Sequence, residues 1–257
     1  MRRARMLFVA AAALALTAPA SARTPGDPVP RFEDAICPGV AGMQVDAAEM
    51  LVYRIRQNAE ALHRWLAPAD TCKANLIVSF VNDGQQIVRE LIHEKPYLFT
   101  EVPPSEREAR LAMPGPVHVV SNVVTRTRDG MPVYGEENLN DPPQVTAWMA
   151  HSKIYSATRR DIIYVLVLID QRAVRGMSLT QLADYVTMRA LMHDLPDQPA
   201  ANSILTLFSA AADNRPAGLA TYDQALLSGL YEGIPNLNGR AREATMEHAT
   251  GRGTAGD

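Results

Sequence analysis

The sequence predicts an α/β chain of the α+β kind, a mixed sheet of about four to five strands packed with helices. Three observations carry this prediction. Residues 162–169 form an unbroken apolar run of eight, far too short for a membrane span and without polar alternation, which suits a central strand covered on both faces. Residues 75–81 form a second apolar, β-branched run closed by Asn82-Asp83-Gly84, the pattern of a strand and its turn. Around them lie segments whose apolar residues recur at helical spacing behind capping residues. Helices and strands are partly segregated along the chain rather than strictly alternating.

From the N-terminus, Arg2, Arg3 and Arg5 precede an apolar run from Met6 to Leu16 that ends in Ala20-Ser21-Ala22. This layout predicts a signal peptide over 1–22, so the mature chain is expected to begin near Arg23, periplasmic or secreted by bacterial export. Residues 23–31 hold three prolines and a glycine and read as a flexible tether. A single globular α/β domain is expected over 32–240. Residues 241–257, small and polar, read as a disordered tail.

Within the domain, Asp46 with Glu49 offers a cap for a helix carrying Leu51, Ile55, Ala59, Leu62 and Leu66. After the first strand, Ile87, Val88, Leu91 and Ile92 mark a helix ended by Pro96, and Ser105 with Glu108 starts a shorter one. Past Pro114-Gly115-Pro116 the pattern turns extended, with 117–125 and 131–134 forming a hairpin about Asp129-Gly130. Residues 136–143 read as an exposed loop. Extended stretches follow at 146–155 and 161–169, joined by Thr158-Arg159-Arg160 as a polar turn. Ser178 with Gln181 caps a helix over 179–192, residues 202–208 give a further helix, and Thr221 with Gln224 starts a last one carrying Tyr222, Ala225, Leu226 and Leu230 inward.

Without the leader, 22 basic and 28 acidic residues give a net charge of −6. Such a chain gains little from polyanions, so nucleic acid and anionic membranes are poor partners. The hydrophobic fraction of 47% against 21% charged residues argues against global disorder. No later apolar run reaches the length of a span, so the mature form is expected to be soluble. The two cysteines, Cys37 and Cys72, are predicted to pair, closing a loop around a helix worth about 3 to 4 kcal/mol on the chain-entropy model. Their spacing is unlike the Cys-x-x-Cys of redox-active pairs, which place a thiol at a helix start.

Chemical motifs are sparse. His93-Glu94 begins the His-Glu-x-x-His pattern, in which two imidazoles share one helix face and the carboxylate activates a metal-bound water, but Tyr97 stands where the second imidazole belongs. The six histidines occur singly; His118 and His151 fall in expected strands and are candidates to meet across a sheet. There is no Gly-x-Ser-x-Gly elbow and no phosphate-cradling glycine loop. Asp184 interrupts the helix at 179–192 about 140° from its apolar centre, so it is either a helix flank, a buried ion-pair acceptor or a functional acid. Asp170 ends the central strand, where clefts open in sheets of this kind. Arg159-Arg160-Asp161 reads as a solvated turn. Neither a metal nor a cofactor is expected.

Residues 162–170, the stretch Gly176-Met177-Ser178-Leu179-Thr180-Gln181-Leu182-Ala183-Asp184-Tyr185, and Leu219-Ala220-Thr221-Tyr222-Asp223-Gln224-Ala225-Leu226-Leu227 with Leu230-Tyr231 together resemble an uncharacterised family of secreted proteobacterial proteins. The C-terminal half of that family is similar to zincin-type metalloprotease domains, and the resemblance covers about a third of the mature chain. It implies that helix 179–192 matches the one that holds His-Glu-x-x-His ahead of a Leu-Gly-Leu-like tail. With Ala190-Leu191 at the tail, Ala183 and Thr187 fall at the histidine positions and Asp184 at the glutamate position. Neither Ala183 nor Thr187 offers an imidazole nitrogen, so the resemblance implies a zincin-like fold without metal or activated water.

The functional expectation is therefore a non-catalytic exported protein that binds a protein or peptide partner or serves as an envelope accessory. The competing expectation is a metal-independent hydrolase with a site built from Asp170, Asp184 and a strand histidine, His118 or His151.

Overall fold

The computed structural model describes residues 26–99, 115–133, 145 and 152–254. The expected leader, the short helix begun by Ser105, most of the stretch around 146–155 and His151 lie outside the described residues. Among the described residues four strands make one mixed sheet in the order β1-β2-β4-β3. Strands β1 (Pro38–Ala41), β2 (Leu76–Val81) and β4 (Thr158–Asp170) run parallel, and β3 (Val117–Thr127) lies antiparallel to β4 at the outer edge. Helix α1 (Val45–Ala61) crosses from β1 to β2, and α2 (Gly84–Glu94) follows β2. After β4 come α3 (Leu179–Leu191), α4 (Thr221–Tyr231) and α5 (Gly239–Thr254).

The apolar run does lie inside the sheet. Strand β4 is flanked by β2 and β3, and its side chains alternate between two cores as a pleat requires. Val165, Val167 and Ile169 join the larger core with Leu51, Ile55, Leu76, Val78, Val186 and Leu230. Leu168 joins Val88, Phe99 and Val120 in a smaller one under α2. Helix α3 begins as its sequence requires. The Ser178 hydroxyl accepts from the Gln181 amide at 3.1 Å, and Gln181 Oε1 accepts from the Ser178 amide at 2.8 Å, a reciprocal capping box. From Leu182 to Met188 every residue of α3 is buried, so Asp184 does not stand on a solvated flank of this helix.

Other helix starts differ from the expectation. Helix α1 begins after Gln44, with Asp46 in its first turn rather than at the cap, where a carboxylate still favours the positive end of the helix dipole. Helix α4 begins after Ala220, whose amide donates to Asp223 Oδ2 at 2.9 Å; Thr221 and Gln224 do not serve as the box. Residues 202–208 give a single 3-10 turn, Ile204–Thr206, with Ser203 as its cap.

Three polar stretches are more ordered than composition implies, each because charge finds an internal partner. Arg159 and Arg160 stand in β4, opposite Arg126 and Thr125, not in a turn. Asp161 makes this possible: it is fully buried, and its Oδ2 accepts from Arg159 Nη2 at 2.8 Å, Arg159 Nε at 3.1 Å and Arg126 Nη1 at 3.1 Å. The expected tether is packed down from Pro28 onward. Arg31 pairs with Asp161 of β4 as a short parallel bridge, and its Nη1 and Nη2 donate to the carbonyls of Leu230 at 3.0 Å and Gly233 at 3.1 Å.

The expected disordered tail forms α5 as far as Thr254. Arg242, also buried, donates to the carbonyls of Gly229 at 3.1 Å, Ile234 at 2.6 Å and Glu232. The carbonyl end of α4 is thus capped by two arginines from opposite ends of the chain. Helix α5 lies close on α4 because Gly229 has no side chain: a Cβ there would come within 2.7 Å of Met246 Cα.

Cys37 and Cys72 form the expected disulfide, with Cα atoms 6.1 Å apart. Among the described residues no helix is long and apolar enough to cross a membrane.

Candidate functional site

Asp184 of α3 faces α1 and the backbone before α4. Two residues four apart on α1 reach it, since positions i and i+4 share a helix face. Arg54 Nε donates to Oδ1 at 2.8 Å and Arg54 Nη2 to Oδ2 at 3.0 Å, while Asn58 Nδ2 donates to Oδ1 at 2.8 Å. The Leu219 amide donates to Oδ2 at 3.0 Å. An ionised carboxylate has about four lone-pair sites, and here four donors fill them.

The Asp184 side chain is 0% exposed, whereas that of Arg54 keeps 39% of its surface in solvent. The pair is a bidentate, charge-assisted contact with one foot in water. Its hydrogen bond to Asp184 raises the Arg54 pKa above the ordinary value, so the cation is held charged. Gly218 is part of the same design, because a Cβ there would lie 2.7 Å from Asp184 Oδ2. Thr187 is drawn in as well: its hydroxyl accepts from Asn58 Nδ2 at 3.0 Å and donates to the Ala183 carbonyl at 2.8 Å. Ala183, Asp184 and Thr187 are all fully buried.

Asp170 and His118 lie at a different place, the carboxyl end of the parallel strands. His118 stands opposite Leu168, and the Asp170 amide donates to the Pro116 carbonyl at 2.8 Å. The imidazole lies over the start of α2, where a Cβ on Gly84 would come within 2.9 Å of its Cδ2. Burial lowers the His118 pKa, against the opposing pull of a hydrogen bond to the Gly115 backbone and the charge of Asp83; Arg189 adds to the lowering. The neutral ring is therefore the favoured form near neutral pH.

Asp170 Oδ1 accepts from the Arg172 amide at 2.8 Å and Oδ2 from Arg172 Nη2 at 3.2 Å. Those contacts with Arg172 hold its carboxyl below the usual range. Arg172 Nη2 also donates to the Asn82 carbonyl at 3.1 Å, and Gln171 Nε2 to the carbonyls of Phe80 at 3.0 Å and Gly42 at 3.3 Å. The loops after β1, β2 and β4 are stitched into one rim. Asp83 belongs to it too, but its carboxylate caps α2 by accepting from the Gln86 amide at 2.8 Å.

Of the residues singled out in the sequence, then, Asp170 and His118 share a rim, Asp184 is engaged elsewhere, and His151 falls outside the described residues. Among the described residues no group of three histidine, cysteine, aspartate or glutamate side chains is placed to hold a metal ion.

Two buried carboxylates were missed as such. Asp223, fully buried, accepts from Ser203 Oγ at 2.5 Å, the Ile204 amide at 2.8 Å and the Ala220 amide at 2.9 Å. Asp161 keeps Oδ1 without a partner among the described residues, and burial raises its pKa against the pull of Arg159 and Arg126. No spacing in the sequence linked Arg54 and Asn58 of α1 to Asp184, from which Arg54 is 130 residues away. Comparison of the chain with protein-family models, curated proteins and solved structures finds no match.

Proposed function

We propose that this chain is an exported, non-catalytic protein that binds a protein or peptide partner or serves as an envelope accessory, on a zincin-like framework without the metal. The observation that carries the reading is the saturation of Asp184: all four acceptor positions are occupied, which leaves none for a substrate proton. The neighbouring positions that a zincin would give to histidines hold buried Ala183 and Thr187, and Thr187 is spent on a backbone carbonyl. The paired cysteines support an oxidising compartment.

The test is capture of a partner by the mature protein from envelope extract, followed by hydrogen exchange of the purified pair. The reading expects a co-purifying partner and slower amide exchange of this chain on binding. Turnover of a peptide, ester or glycan substrate that is lost in His118→Ala would overturn it, and would favour the hydrolase that the shared rim of His118 and Asp170 suggests.

A further inference from the structure

We draw no further inference here: the strongest candidate, the cluster of His118, Asp83, Asp170 and Arg172 at the carboxyl ends of β2 and β4, belongs to the site already described, its carboxylates being spent on capping α2 and on closing against Arg172.

Discussion

The clasp around Asp184 and the rim around Asp170 use the same pair of chemical groups, a carboxylate and a guanidinium, to different ends. In the clasp the carboxylate is fully buried and joins parts of the chain that are 130 residues apart. In the rim, Arg172 is two residues from its partner and keeps 72% of its side-chain surface in solvent. The contrast teaches where such a pair matters. Removing one partner of a buried pair strands the other groups without water, whereas an exposed pair trades its contact for solvent at little net cost.

The sharpest way to break this contrast is Asp184→Ala. It takes an acceptor from buried Asn58 Nδ2 and from the Leu219 amide and releases the partly exposed Arg54, so a loss of about 2 to 4 kcal/mol is expected in urea unfolding. A loss under about 1 kcal/mol would place the clasp in the same class as the rim. Next in size is Gly218→Ala. Its Cβ would meet Asp184 Oδ2 at 2.7 Å, and overpacking of this kind costs about 1 to 3 kcal/mol. Asp170→Asn comes third, with no measurable change of the urea midpoint at neutral pH, since its partner is solvated.

A small effect of another kind is a pH slope from His118. Its folded pKa lies below the unfolded value of about 6.5, so its contribution is fully present above that pH and is lost as pH falls toward the folded pKa. Comparing His118→Gln with the parent chain isolates the slope. Identical slopes on the acid side of pH 6.5, about the unfolded value, would show that the ring is not held neutral.

What the sequence made legible follows the same division between local and distant causes. Strands β2 and β4 and helix α3 were readable because apolar runs, period and capping residues are local signals. Helix α5 and the packed segment before Phe32 were not, because Arg242 and Arg31 are held by backbone carbonyls, which no residue pattern announces. Arg159 and Arg160 looked like a turn for a related reason: the buried Asp161 that compensates them offers no sign of its burial in the sequence. Asp184 stood out by its position on a helix wheel, and a buried ion-pair acceptor was among its readings. Its partners came from α1, too far along the chain for any spacing rule to connect.

The account rests on Asp184 being a structural tie rather than a free acid, and a double-mutant cycle between Arg54 and Asp184, read by urea unfolding, tests that most directly. Arg54→Ala, Asp184→Asn and the double variant should give a coupling energy of about 1 kcal/mol or more, since the contact is bidentate and one of its two groups is fully buried. A coupling near zero would contradict the account, because the carboxylate would then be available for other chemistry.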